Sequence, residues 1–197
     1  SARDEETARA ELSGLLARLW YPAPDAELLA AFSVAATQAP MEGAFLEEPW
    51  RQLVGAARER SEGELRAEYD ALFGGIGKPE VYLFGSHYLS GFLNDKPLAK
   101  LRGELATLGL AREESVGETE DHVACLFEVM RYLIAGEDVA VANLTRQQAF
   151  FSAHIQPWVA DMCEAVAAHP RAAFYAALAR FTQGFAQVEA QAFDLLD

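Results

Sequence analysis

The chain has 197 residues, 30 of them acidic and 16 basic, giving a formal charge of −14, and 51% of it is apolar. That length holds one domain or two small ones with a sizeable core, and the apolar fraction argues against disorder despite the charge. The acidic surplus argues against a nucleic-acid backbone as the main partner, because phosphate binding needs a basic surface; a basic partner or simple solubility fits it.

Ala and Leu number 37 and 24, whereas Val, Ile and Thr number 11, 3 and 6. Ala and Leu lead the helix scale and β-branched residues dominate strands, so the composition favours helices. The two cysteines, Cys125 and Cys163, are too few for a disulfide framework and read as reduced core thiols. The N-terminal SARDEETARAELS is charged and amphipathic, and no run approaches the ~18 apolar residues of a membrane span. The expectation is a cytoplasmic protein without stable membrane insertion.

Apolar residues three and four apart recur nearly throughout. The first predicted helix covers about Asp4 to Trp20, with Leu12, Leu15, Leu16 and Leu19 on one face. Tyr21-Pro22-Ala23-Pro24 stops it, since proline cannot continue the hydrogen-bond ladder. Asp25 can cap a second helix running to about Gln38. A third covers about Pro49 to Arg60, with proline in its first turn. Ser61 and Glu64 have capping-box spacing ahead of Leu65, Tyr69, Leu72 and Phe73.

Residues 74–97, GGIGKPEVYLFGSHYLSGFLNDKP, hold five glycines and two prolines among several aromatics. They read as one long loop that packs on its neighbours, and as the one place where a hinge or an exchange of helices between two copies would fit. Leu98, Leu101, Leu105 and Leu108 mark the next helix, with Gly109 as its C-terminal stop. Residues 111–118 form an acidic connection. A helix follows to about Ala135, ended by Gly136. Others cover roughly Val139 to His154, Pro157 to Ala168 and Arg171 to Asp194. The sum is a single compact all-α bundle of eight or nine helices over residues 1–197.

Two glycine motifs fail as catalytic signatures. Gly74-Gly75-Ile76-Gly77-Lys78 has Leu72 where a phosphate-binding loop needs glycine, and Pro79 follows the lysine. Gly85-Ser86-His87 lacks the flanking glycines of a nucleophile elbow, having Phe84 and Tyr88 instead. The histidines His87, His122, His154 and His169 form no zinc spacing.

Five of the nine residues from Glu113 to Asp121 are acidic and none is basic. Two readings stay open. Acidic groups at a helix start can simply meet its positive dipole end, with Thr119 or Glu118 as the cap. Alternatively they form a mouth for a cationic ligand. Glu118, Asp121 and His122 stand at i, i+3 and i+4, on one face of a helix, where carboxylates can accept paired guanidinium hydrogen bonds. The stretch Gln147 to Trp158 is similarly double: Phe150, Phe151 and Trp158 fit a core, and Gln148 and His154 fit either a groove or buried hydrogen bonding.

Three blocks in order resemble the TorD/DmsD-like chaperones of redox enzymes exported by the twin-arginine pathway. Tyr69-Asp70-Ala71-Leu72-Phe73-Gly74-Gly75 is similar to the family's Y-x-x-L-F-x-G helix end, followed by Val81 to Ser86 as its tyrosine-and-serine stretch. Glu118-Thr119-Glu120-Asp121-His122 is similar to the E-P-x-D-H signature, with Thr119 where proline is usual. Gln147 to Trp158 is similar to a Q-x-x-F-x-x-x-H-x-x-x-W pattern.

The resemblance implies an all-α fold, no catalytic activity, no cofactor and no metal. It implies a chaperone that binds the twin-arginine leader and the immature form of an exported, molybdenum-containing oxidoreductase until the cofactor is loaded. Carried over by motif, Glu118, Asp121, His122, Tyr82 and Ser86 would bind the leader. An apolar groove for the rest of the leader is expected from the aromatic residues themselves, at Phe84, Tyr88, His154 and Trp158. His122 would tune affinity near neutral pH, because its charge opposes arginine. The rival readings are a NarJ-like assembly factor for a cytoplasm-facing redox subunit and a metal-dependent hydrolase built on His122, His154 and the carboxylates. A homodimer is compatible with each.

Overall fold

The structure is a computed structural model that describes residues 1–34, 46–111 and 117–197. Among the described residues there are ten α-helices and no strand. In chain order they are α1 Ala2–Trp20, α2 Ala26–Ser33, α3 Glu47–Arg58, α4 Glu62–Phe73 and α5 Gly85–Ser90. There follow α6 Lys96–Thr107, α7 Val123–Ala135, α8 Leu144–His154, α9 Val159–Ala168 and α10 Phe174–Asp194. The all-α expectation holds. The count exceeds the eight or nine expected, and the helix not foreseen is α5, a short one inside the stretch expected to be loop from end to end.

Local chemistry sets most of the helix ends. Asp25 accepts a hydrogen bond from the Leu28 amide at 2.9 Å and starts α2. The end of that helix expected near Gln38 lies outside the described residues. Ser61 and Glu64 cap α4 reciprocally, as their spacing predicted. Gly136 closes α7. Three helix starts differ from expectation: α7 begins at Val123 rather than directly after residue 118, and α8 and α10 also start later. Helix α8 begins at Leu144 rather than Val139, because the Asn143 side chain accepts from the Arg146 amide at 2.9 Å and fixes the start there. Helix α10 begins at Phe174 rather than Arg171. Its first amides, Phe174 and Tyr175, donate to the Glu68 carboxylate at 3.1 and 2.7 Å. Glu68 is a cap supplied from α4, which no reading of neighbouring residues would find.

The chain gathers into two compact units, Ser1–Ala17 with Leu83–Val159, and Arg18–Tyr82 with Ala160–Asp197. The step from Tyr82 to Leu83 falls inside the glycine-rich 74–97 stretch.

The first unit holds most of α1 together with α5, α6, α7 and α8. Helix α5 packs on α6 and α7 packs on α8. Leu12, Leu16, Leu98, Leu101, Leu126, Phe127, Met130, Phe151 and Ile155 are buried. A polar thread runs through this apolar packing: Arg9 donates to Gln147 at 3.0 Å, and Gln147 donates to the Leu133 carbonyl at 2.9 Å. Each group in that thread is satisfied, as burial requires.

The second unit is organised around α10, which packs against α3 and α4, while α2 lies on α3. Its core is aromatic. Trp50 lies 5.3 Å from Phe181, and Phe73 meets Tyr175 edge-on at 5.2 Å. The Trp20 indole N–H donates to the Thr182 hydroxyl at 3.1 Å. Cys163 is buried here, and burial pushes its thiol well above the ordinary range, which keeps it unreactive.

Candidate functional site

In the first unit, residues 83–85 run antiparallel to residues 121–123. The Gly85 amide donates to the Asp121 carbonyl at 3.0 Å and the Val123 amide donates to the Leu83 carbonyl at 2.9 Å. This forms a single bridge between Phe84 and His122. The two rings meet edge-on, 5.1 Å apart at 87°. The bridge joins the first and second of the three blocks, the serine stretch and the acidic-histidine block, which are far apart in sequence.

Asp121 is the hub. One carboxylate oxygen accepts from the Ser86 amide at 3.0 Å and from the Ser86 hydroxyl. The other accepts from the Thr119 hydroxyl at 2.6 Å. Asp121 is 3% exposed and Ser86 1%. A carboxylate with hydrogen bonds on both oxygens can be buried as an anion, because those bonds replace the water it gives up.

His122 is the N-cap of α7. Its Nδ1 accepts from the Ala124 amide at 3.0 Å, which leaves the ring proton on Nε2. This corrects two expectations. Neither Thr119 nor Glu118 caps the helix, and the acidic residues are not in its first turn. Glu118, Asp121 and His122 therefore do not share a helix face; they sit on the turn before α7. The third correction concerns charge. Burial pushes the His122 pKa down to about 4, only partly opposed by Asp121, so the ring is neutral at physiological pH and carries no charge there to oppose an arginine.

The remaining acidic groups differ among themselves. Glu120 is buried and paired with Arg102 of α6. Glu118 is half-buried, and desolvation raises its pKa. Glu113 and Glu114 lie outside the described residues. Tyr82, half-buried, belongs to the second unit.

The residues expected to line a groove cluster around Trp158. Tyr88 stacks on its indole at 5.3 Å and 19°. The indole N–H donates to the His154 carbonyl at 2.6 Å. Gly85 lies against the same ring, where a Cβ would come within 2.9 Å of Nε1. This position needs glycine for space, because the backbone passes directly over an aromatic face. Phe84 is drawn instead to His122. The His154 Nε2 faces the Glu104 carboxylate, and Phe150 lies 4.9 Å from the imidazole. A separate groove of about 210 Å³ runs between α6 and α8, with Leu108, Phe150, Glu104 and Arg146 among its walls. None of the four residues expected to form a groove lines it.

Sequence reasoning missed the Thr119 hydrogen bond, the Arg102–Glu120 pair and the close fit of Gly85 on Trp158. A signal existed for two of them. Thr119 stands where the motif usually has proline, and Gly85 is a small residue set among aromatics. Arg102 gave none. Among the described residues, no group of three or more His, Cys, Asp and Glu is placed to hold a metal ion. None of the described helices is long and apolar enough to cross a membrane.

Two of the three motif blocks thus meet at one buried knot of Ser86, Asp121 and His122. The sequence model of the family described as nitrate reductase delta subunit matches residues 42–164, more than half of the chain, and the chain belongs to that family. It is also similar to proteins named chaperone protein TorD from three strains of Vibrio cholerae serotype O1. Each is 27% identical over 146 residues, covering 71% of this chain and 66% of the relative, just under two thirds of its length.

Proposed function

We propose that this chain is a cytoplasmic chaperone for the maturation of a redox enzyme. Its relatives named as TorD chaperones support that class of function, and family membership across residues 42–164 carries it. In the finer reading, the client is an exported oxidoreductase, molybdenum-containing, and the chaperone holds its twin-arginine leader until cofactor loading is complete. The first unit supplies what such recognition needs. The acidic turn that carries Glu118 suits guanidinium groups, and the bridge to residues 83–85 puts aromatic surface beside it. Exposed Leu89, Phe92 and Leu93, just beyond, suit the apolar stretch that follows paired arginines.

Isothermal calorimetry on the full chain tests this reading. A leader peptide with paired arginines should bind, and its twin-lysine counterpart should bind at least about tenfold more weakly, because lysine lacks the planar fork. The family description, nitrate reductase delta subunit, favours a second reading: an assembly factor for a redox subunit that carries no export leader. Capture of such a leaderless subunit, with no binding of the leader peptide, would replace the first reading by the second.

A further inference from the structure

Resting on the leader-binding reading, we propose that Asp121 is a positioning residue, not the carboxylate that meets the arginine pair, and that Thr119 completes its latch. The geometry of the knot carries this. A guanidinium fork binds a carboxylate through two parallel hydrogen bonds along its outer edge. At Asp121 both oxygens are already engaged, one by the Ser86 amide and hydroxyl and one by Thr119. The residue is 3% exposed, so an arginine would have to break these bonds and enter the core.

The latch has two ends of different kinds. Ser86 ties Asp121 to the first turn of α5, and Thr119 ties it to the chain two residues upstream. A proline at 119, usual in the motif, has no hydroxyl and cannot make the second tie. It would restrict the backbone directly instead. In this chain a hydrogen bond does that work, and it fixes the turn that carries Glu118. Glu118, half-buried at the outer end of that turn, is then the carboxylate of the pair that meets the leader's charge.

The two roles separate in their response to salt. A contact near the surface changes the salt dependence of binding, whereas a buried hydrogen-bonded group changes affinity through order and leaves the salt dependence in place. Calorimetry of the full chain with a twin-arginine leader peptide at 0.05 and 0.5 M NaCl reads this. For the parent, Kd should rise about tenfold across that range, and for Glu118→Gln only about threefold. Thr119→Val and Asp121→Asn should weaken binding about tenfold at both salts while keeping the parent's ratio, and Thr119→Ser should restore parent affinity.

A second measurement needs no ligand. Amide exchange followed by NMR should show the Ser86 amide protected in the parent and exchanging about tenfold faster in Thr119→Val. Loss of the salt response in Asp121→Asn, matching that of Glu118→Gln, would overturn the assignment by making Asp121 the direct contact. Unchanged Ser86 exchange in Thr119→Val would overturn the latch. If the parent bound no leader peptide, the functional reading and the assignment of Glu118 would both fall, while Ser86 exchange would still decide whether the latch exists.

Discussion

At the start of α7 an imidazole does what a serine or aspartate hydroxyl or carboxylate does at most helix starts. His122 caps through Nδ1 and is 2% exposed, so its neutral form is part of the fold. The consequence for pH follows from the direction of the shift. In the unfolded chain the ring protonates below about pH 6.5, while in the fold its pKa is about 4. Above pH 6.5 both states are neutral and the cap is fully effective. As the pH falls from 6.5 to 4, only the unfolded state takes up the proton, so folding stability drops, by about 3 kcal/mol at pH 4. Urea unfolding at pH 7 and pH 4.5 should show this loss, and it should be absent in His122→Asn, which caps without titrating. An equal loss in the variant would place the acid sensitivity elsewhere. Other caps were legible in the sequence because their chemistry is local: Asp25 and Ser61 act on residues three positions on. His122 was legible as part of a motif but not in its role, since burial and not spacing decides its charge.

Between elements, the most consequential capping contact is Glu68 on α10. Two amides of the first turn donate to one carboxylate from α4, at 3.1 and 2.7 Å. The negative charge also sits at the positive end of a 21-residue helix. Glu68→Ala should therefore destabilise the protein by about 1–2 kcal/mol, measured by denaturant unfolding, whereas Glu68→Gln should lose roughly half of that. Equal stability of Glu68→Ala and parent would mean that water replaces the carboxylate at no cost. Most helices were legible from apolar spacing, because each buries one stripe. Helix α5 was not. Gly85 at its start speaks for a loop, and only the Trp158 ring above it explains why glycine is there. The start of α10 was misplaced for the same reason: its cap is over a hundred residues away in sequence.

For the whole molecule the dominant quantity is the charge of −14. Like charges gathered in one fold repel one another, and salt screens them. Raising NaCl from 0.02 to 0.2 M should raise the thermal midpoint by about 2–4 °C, the shift expected for roughly 1 kcal/mol in a chain of this size. Scanning calorimetry checks this, and a falling midpoint would mean that attractive pairs such as Arg51–Glu48 and Arg66–Glu62 outweigh the repulsion. The charge was legible in the sequence, as was the all-α class. The step at Leu83 falls inside the glycine-rich 74–97 stretch read as a hinge, whereas nothing in the sequence marks the passage of α1 from one unit into the other. How each carboxylate is held was also hidden. Glu120 and Asp121 look alike in sequence, and only the fold gives the first to Arg102 and the second to Ser86 and Thr119.

The bridge between Phe84 and His122 also acts as a clasp on the chain. It joins two segments more than thirty residues apart, so everything between them leaves from and returns to one fixed point. The ends of that excursion are held by backbone hydrogen bonds that do not depend on the side chains inside it. Closing a longer excursion costs little, only about 0.6 kcal/mol for each doubling of length. The knot at Asp121 can therefore keep its register while the chain after Gly109 changes in length. This gives evolution a place to alter what surrounds the site without disturbing the site itself.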